Sequence, residues 1–389
     1  MRALIDPRKF ILVFILLTPI VNNINGFMMY RFGISALGPA FYAGMLLVLI
    51  LALLPQHFQR ATVLNNYLIL LAMVFWFLFH CSIYGGWLSA FRSYTKFFLP
   101  FFLYRFLILY FGGNRSAIMS YLGVTVVMWG GMAVFTACFR IKPSAGEGYY
   151  GFIHGNNDYV AMLFAMFPLI RLWKGYLKTG IYYLAVLLTR SKGLLLVGVM
   201  IFLRQKSRFV RIFALLTLTI TVSYYASYFH HHWGTGSVSM FQLIQFMSFG
   251  RFGVLFTLMA NLARKSWLEH VFGSGFEGAL LLTNGKGGVE MDIVDVYDIF
   301  GIAGLLVVCY FYYWLLYRNR HLTSAQKFNF LPLFLYSALG GHLMFNPVSN
   351  VVFTLILFVV GENPDLGSKT AERRPEEEAG VLAGPSGLS

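Results

Sequence analysis

Four acidic residues precede an apolar stretch late in the chain: Glu290, Asp292, Asp295 and Asp298. Their spacing of three places Asp292, Asp295 and Asp298 near one face of a helix. Carboxylates that lie this close raise one another's pKa, and burial raises it further, which suits a general base or acid. Two other interpretations stay open. Acids at a helix start complement the helix dipole, and clustered carboxylates also bind magnesium or calcium.

Two basic sites are candidates for binding phosphate. Arg190 and Lys192 lie between the apolar runs 179–189 and 192–203, which are each too short to cross a bilayer. A cation at membrane depth is costly unless it is paired or faces a wet cavity, and the arginine fork matches phosphate oxygens. This pair, and Arg251 at the start of another short apolar segment, therefore predict phosphate or pyrophosphate binding. For the Arg190–Lys192 pair, the alternative is that both side chains reach out to interfacial water. For Arg251, the alternative is that the side chain anchors its segment at the membrane interface.

A third candidate is the segment 149–159, which combines aromatic side chains with His154, Asn156 and Asn157. Such groups bind sugar hydroxyls, but an interfacial aromatic belt with an asparagine cap explains them equally well. The glycine pattern at 273–278 fits a dinucleotide-binding motif, yet it follows no predicted strand, so we expect no such site. The adjacent histidines 230–232 do not face one point. Apart from the cation alternative above, no metal and no cofactor is predicted.

The amino-acid composition indicates the kind of structure that must hold these candidate residues in place. The 389-residue chain is 58% hydrophobic and only 12% charged, about half the charged share of a soluble domain. A soluble protein of this length cannot bury that much apolar surface, and three cysteines make no disulfide framework. The net charge of +15 does not indicate nucleic-acid binding, because the basic residues punctuate apolar runs. The sequence predicts an all-α polytopic membrane protein.

About twelve apolar runs predict membrane-spanning helices in one domain covering 1–361. Lysine and arginine gather in alternate loops, so we expect both ends in the cytoplasm. A single long extracytoplasmic loop covers about 229–298. The tail 362–389 is predicted to be disordered, and its end is typical of residues appended for expression. The runs are 10–25, 35–54, 63–83, 97–112, 117–138, 156–173, 179–189, 192–203, 212–228, 296–317, 328–345 and 348–361.

With this orientation, all but one of the acids outside the tail fall on one side of the membrane. Asp6 alone lies among the cytoplasmic residues, and the other eight fall at or near the extracytoplasmic side. A membrane protein with mixed charge gathered on its outer face is expected to do its chemistry there. The eight acids are Glu147, Asp158, Glu269, Glu277, Glu290, Asp292, Asp295 and Asp298.

The order of these features resembles the bacterial O-antigen polymerase (Wzy-type) and O-antigen ligase family of membrane glycosyltransferases. The resemblance covers about 150–310 and the twelve-span frame. Four features carry it, in this order along the chain. A middle span begins with glycine and asparagine, and a basic break separates two short spans. The long loop then contains an arginine, a tryptophan and a Gly-x-Gly, and an acidic segment leads into the next span. The matching segments are 155–161, 189–193, Gly250-Arg251 with Trp267 and 273–275, and 290–304.

This resemblance implies a GT-C-like fold and a metal-independent, inverting transfer of glycans from undecaprenyl pyrophosphate on the periplasmic face of the bacterial inner membrane. The donor and acceptor would both be lipid-linked oligosaccharides, with a chain-length regulator and a flippase as partners in the same membrane. Pyrophosphate would bind to Arg190, Arg251 and Lys192. The base would be Asp295, Asp292 or Glu290. Sugar contacts would come from His154, Asn156, Asn157, Tyr297 and Asp298.

Polymerisation of repeat units is the function that the resemblance favours. The ligase branch, which transfers glycan to lipid A-core, has a histidine near a loop-to-span junction as its proposed base. No histidine lies between His270 and Gly301 here, so ligation is the alternative. A transporter or flippase is an alternative from another class, because broken short spans are typical of transporters. A structural scaffold in an assembly complex is a further one.

Overall fold

A computed structural model describes residues 6–34, 36–54, 60–112, 114–141, 149, 151–152, 156–167, 176–189, 251–283, 291–314, 330–341 and 343–361, with isolated positions between 208 and 227. Within these ranges every regular element is a helix. The coarse prediction of an all-helical chain is therefore confirmed for the described residues.

Thirteen α-helices are described, and a short 3₁₀ turn, Leu262–Arg264, and a π-helical turn, Cys309–Trp314, extend two of them. Most of them coincide with predicted apolar runs. They are α1 (Pro7–Phe32), α2 (Leu37–Leu53), α3 (Arg60–Tyr84), α4 (Trp87–Phe111), α5 (Arg115–Cys138), α6 (Asn156–Met166), α7 (Tyr176–Thr189), α8 (Arg251–Asn261), α9 (Trp267–Phe272), α10 (Gly275–Leu282), α11 (Asp292–Val308), α12 (Leu331–Gly340) and α13 (Pro347–Gly361).

Five helical stretches in the described ranges are long and apolar enough to cross a membrane. They are Pro7–Phe32, Asn66–Tyr84, Trp87–Phe111, Arg115–Cys138 and Asp292–Tyr312. Shorter apolar helices include α2 and α13. This length and composition are those of a membrane-embedded protein.

The helices α3 and α4 form a hairpin whose two arms have opposite surroundings. Gly85 and Gly86 join them, both with positive φ, a conformation that glycine adopts without strain. Helix α3 exposes an apolar stripe that includes Leu64, Leu68 and Leu71, which is the pattern of a face turned to lipid. Helix α4 packs against α2, α3 and α13 and buries most of its length.

The start of α4 differs from its prediction. The apolar run predicts a helix from 97, whereas α4 begins at Trp87, ten residues earlier. Its first turns carry Ser93, Tyr94 and Thr95, which look like loop residues in sequence but are buried by neighbouring helices. Burial with local hydrogen bonds, such as that from Thr95 Oγ1 to the Phe91 carbonyl at 2.9 Å, allows polar residues in a packed helix.

An aromatic cluster joins α4 to α11 at the centre of the core. The rings of Phe97 and Phe300 stack with centroids 3.9 Å apart. Tyr94 and Trp76 make edge-to-face contacts with Phe300, and the ring of Phe345 lies nearly parallel to both Phe97 and Phe300. Because Phe300 lies two residues after Asp298, this cluster fixes the acidic start of α11 against the α3–α4 hairpin.

Candidate functional site

The three aspartates of α11 are buried on one side of the helix. Asp292 and Asp298 are fully buried, and Asp295 is 7% exposed. Helix α11 begins directly after Met291, whose backbone is extended, so the three carboxylates follow one another over its first two turns. In the described residues, no three histidine, cysteine or acidic side chains lie close enough to hold a metal ion.

Asp292 ties the start of α11 to the C-terminal part of the chain. Its Oδ2 accepts a hydrogen bond from Ser337 Oγ at 2.7 Å and another from the Leu343 backbone N–H at 2.9 Å. Ser337 lies on α12, and Leu343 lies between α12 and α13. Hydrogen bonds to a carboxylate are stronger than neutral ones. Through these two uncharged donors the carboxylate joins three elements.

Asp298 is held by a cation. Its Oδ1 lies 2.6 Å from Lys265 Nζ, and both side chains are shielded from solvent. The same Nζ donates to the Asp298 carbonyl oxygen at 3.2 Å and lies 5.1 Å from the centre of the Tyr297 ring. Lys265 sits between the 3₁₀ turn and α9, so this ion pair fastens α9 to α11. Removing one partner of a buried pair leaves a costly buried charge.

A break in α11 makes room for this contact. Gly301 has φ 68° and ψ −165°, which interrupts the helix. A continuous helix would use the Asp298 carbonyl for the N–H of Ile302. Here that carbonyl accepts from the Ser274 N–H at 2.9 Å as well as from Lys265. The break therefore opens the backbone of α11 to the chain that passes beside it.

The Gly-x-Gly segment crosses α11 at this break with backbone against backbone. A Cβ on Gly273 would lie 2.1 Å from the Ile299 carbonyl oxygen, and one on Gly301 would lie 2.4 Å from the Val271 carbonyl oxygen. Both glycines also have positive φ. Only glycine fits at such a crossing. The glycine pattern of 273–278 thus has a packing role in this fold.

The α3–α4 hairpin holds α9 from the other side. His80 Nε2 and Trp76 Nε1 each lie 3.0 Å from the Phe272 carbonyl oxygen at the end of α9. Tyr84 OH donates to Glu269, and Ser89 Oγ donates to a carboxylate of α10. These contacts add polar groups from both α3 and α4 near the Lys265–Asp298 pair.

Glu269 has two local functions. It forms a reciprocal capping box with Ser266 at the start of α9. Burial raises its pKa, but hydrogen bonds from Tyr84 and Ser266 together with the charge of Lys265 outweigh that, so the pKa of Glu269 is lowered overall. Glu269 is therefore an anion that supports the Lys265 cation.

A histidine meets α11 from α9. His270 Nδ1 lies 2.5 Å from Tyr297 OH. His270 is partly buried and Tyr297 is adjacent to Asp298 in the chain. The fold thus brings a histidine to the start of the α11 span, where the sequence between 270 and 301 contains none.

Arg251 starts α8 and is only 4% exposed. Helix α8 packs its Leu258 together with Met291 and Leu282, and Val294 joins the same cluster. The helix that Arg251 begins therefore shares a small apolar cluster with α10 and with the start of α11. Arg251, the predicted phosphate ligand, and the predicted acids of α11 therefore belong to elements that contribute to the same apolar cluster.

Several predicted residues lie outside the described part. These are Arg190, Lys192, Glu290 and His154. For Asn156 and Asn157 only the helical backbone of α6 is described. Arg190 directly follows α7, whose last residue, Thr189, is fully buried. The long loop before 251 and the tail also lie outside.

Sequence reasoning gave no role to Lys265, His80 or Tyr84. A histidine inside an apolar span is a signal that singles out His80, since ionisable groups there are rare. Lys265 stands beside an exposed arginine, and nothing in the sequence distinguishes the two.

The chain matches no protein-family model, no curated protein and no solved structure.

Proposed function

We propose that the protein is a membrane glycosyltransferase that polymerises oligosaccharide repeat units carried on undecaprenyl pyrophosphate. The observation that carries the proposal is that α8, which begins at the buried Arg251, shares an apolar cluster with the start of α11, which carries the buried acids. Such a transfer requires a cation for the leaving pyrophosphate and a carboxylate for the acceptor hydroxyl.

The proposed step is a single displacement. A sugar hydroxyl oxygen of the acceptor attacks the anomeric carbon of the donor, and its proton passes to a carboxylate. The bond from that carbon to the pyrophosphate oxygen breaks, and undecaprenyl pyrophosphate leaves with the electron pair. Arg251, with Arg190 and Lys192, stabilises the charge on the leaving group, and the anomeric configuration inverts.

Among the described acids, Asp295 is the best candidate for the base. Asp295 is the most exposed of the three buried aspartates, at 7%, so an acceptor hydroxyl reaches it most readily. Glu290 remains a candidate on sequence grounds. His154, Asn156, Asn157 and Tyr297 are proposed to contact sugars.

The proposal includes a topology. Twelve spans in a GT-C-like arrangement place both chain ends in the cytoplasm and the reaction at the periplasmic face of a bacterial inner membrane. It is supported by the coincidence of described helices with predicted apolar runs and by the alternation of basic loops along the sequence.

Ligation to lipid A-core is the second candidate. The contact of His270 with Tyr297 favours it, because it supplies a histidine at the junction where the ligase branch of the resembling family has one. In that reaction His270 would take the acceptor proton in place of Asp295.

The test is a gel of lipid-linked glycans from cells that lack the protein. The cells are complemented with the wild type, Arg251→Ala, Asp295→Asn, His270→Gln or the control Arg264→Ala, which removes an exposed arginine of the same region. We expect ladders from the wild type and Arg264→Ala, and single repeat units from Arg251→Ala and Asp295→Asn.

Each alternative gives a different gel. Full ladders that stay on the carrier lipid and never reach lipid A in the deletion strain indicate a ligase, and His270→Gln then shares that defect. Repeat units trapped on the cytoplasmic side indicate a flippase. Normal ladders with folded Arg251→Ala and Asp295→Asn proteins contradict the proposed site and favour a scaffold.

A further inference from the structure

A cavity of about 630 Å³ lies apart from the α8–α11 site, between α1, α2, α4 and the start of α13. Its walls come from residues near the C-terminal end of α1 and the N-terminal ends of α2, α4 and α13. In the predicted orientation all four ends face the extracytoplasmic side. A ring of Phe345 also lines the cavity, and this ring stacks on Phe97 and Phe300. Through Phe345 the aromatic cluster therefore forms part of the cavity wall.

Among the described residues that line this cavity, the charged ones are both basic. Arg92 and Lys96 stand one helical turn apart on α4. In the described part of the chain, Arg92 forms no ion pair or hydrogen bond. The guanidinium of Arg92 can donate two parallel hydrogen bonds to phosphate oxygens, and Lys96 adds a second positive charge one turn away. The cavity is therefore suited to a negatively charged group.

Asparagine side chains add neutral hydrogen-bonding groups. Asn25 Oδ1 accepts from the Gly38 N–H at 2.9 Å, and Asn346 Oδ1 accepts from the Val348 N–H at 2.8 Å. In both cases this leaves the amide Nδ2, a donor, for another partner. Both side chains line the cavity. Donors of this kind next to cations suit phosphate oxygens.

The remaining wall is apolar. Leu88, Phe91, Pro39 and Val348 line the cavity together with the polar groups. Leu88 and Phe91 are also exposed on the outside of α4. A cavity with cations inside and apolar side chains that continue to the outer surface fits an amphiphile with an anionic head and a hydrocarbon tail.

Interfacial cations that merely reach for water are the alternative explanation. Lys and Arg near helix ends do so routinely. That explanation predicts no preference for one ligand over another and no role for Asn25 or Asn346. The grouping of two cations and two amides around one cavity distinguishes it from a pair of isolated side chains that reach for water.

We infer that this cavity binds the phosphate of an anionic lipid headgroup through Arg92 and Lys96. The inference concerns a site separate from the one proposed for glycan transfer, and its test measures binding only. A soluble phosphate compound offers the same chemistry, so the experiment must separate the two sources.

The experiment uses the full chain in nanodiscs of neutral phosphatidylcholine. Dioctanoyl phosphatidic acid, dioctanoyl phosphatidylcholine and inorganic pyrophosphate are titrated separately by isothermal titration calorimetry. We expect saturable binding of the phosphatidic acid and little binding of the neutral lipid. Arg92→Gln and Lys96→Gln should each weaken it about tenfold or more, as loss of a charge-assisted contact to phosphate predicts. Arg264→Ala, at another surface, should bind like the wild type.

Folding is checked separately, because Arg92 is exposed and its replacement should leave the melting temperature unchanged. Ala43→Leu, which fills the cavity without changing its charge, should also reduce binding. Equal affinity for the neutral and anionic lipids, or unchanged affinity in folded Arg92→Gln and Lys96→Gln, overturns the inference. Tight binding of pyrophosphate but not of phosphatidic acid overturns the lipid source. A normal glycan ladder in a variant that loses lipid binding leaves the proposed function intact.

Discussion

The two ends of the acidic segment of α11 are held in opposite ways. At Asp292 the carboxylate accepts from a hydroxyl and a backbone N–H. At Asp298 it is paired with a buried lysine, where two backbones also cross at glycines. The two donors to Asp292 carry no net charge, so they leave none behind when Asp292 is replaced. Replacing Asp298 instead leaves the buried charge of Lys265 without its partner. The region of Asp298 should therefore be the less tolerant of the two, although both side chains are equally buried.

The largest effect should come from the glycine crossing beside Asp298. Gly273→Ala places a methyl group against the Ile299 carbonyl, and φ of +87° adds strain. We expect a loss of about 4 kcal/mol or more in unfolding free energy, enough to prevent accumulation of folded protein. The measurement is the yield of monodisperse protein and its unfolding in detergent. Gly180→Ala is the control, because nothing lies within 4 Å of that position, and it should gain about 0.5–1 kcal/mol.

The ion pair should give the next largest effect. Lys265→Met leaves the Asp298 carboxylate buried without its cation, and we expect a loss of about 3–5 kcal/mol. The double variant Lys265→Met/Asp298→Leu should recover much of that loss. A double-mutant cycle on unfolding free energies measures the coupling. A coupling near zero would show that the pair is not what holds α9 to α11.

A smaller effect is expected at Asp292. In Asp292→Asn the amide oxygen can still accept from Ser337 and the Leu343 N–H, so the expected loss is about 1 kcal/mol. Asp292→Ala orphans both donors and should cost about 1–3 kcal/mol. If Asp292→Asn proved as damaging as Lys265→Met, the contrast between the two ends would be wrong.

The smallest effect is a pH dependence from Glu269. Its pKa is lowered in the folded protein from the ordinary value of 4.5. Its contribution to stability is therefore fully present above about pH 4.5 and is lost as the pH falls through the lower folded value. Melting temperatures of the wild type and Glu269→Gln between pH 3 and 7 test this: their difference should shrink as the pH falls below about 4.5. Tyr84→Phe should weaken the same dependence.

The sequence predicted the helices far better than the contacts between them. Long apolar runs identify α1, α3 and α5 because a bilayer requires about 20 apolar residues. The start of α4 was not predicted, because its first turns are polar in sequence and are buried only by tertiary packing. Periodicity also predicted that Asp292, Asp295 and Asp298 share a side of α11.

The partners of those acids could not be predicted. Lys265 lies 33 residues from Asp298 in the chain, and their pairing needs the break at Gly301, which an apolar run does not reveal. The approach of His80 to the Phe272 carbonyl spans 192 residues. Such pairings depend on the path of the whole chain, and periodicity reports only the local helix.

The most direct test of the central claim is a reconstituted reaction. Purified protein in liposomes receives a lipid-linked repeat unit, and glycan length and released undecaprenyl pyrophosphate are measured together for the wild type, Arg251→Ala, Asp295→Asn and Arg264→Ala. The account predicts a ladder with one carrier released per linkage for the wild type and Arg264→Ala, and neither product for Arg251→Ala or Asp295→Asn. Wild-type ladders from folded Arg251→Ala and Asp295→Asn proteins would contradict it.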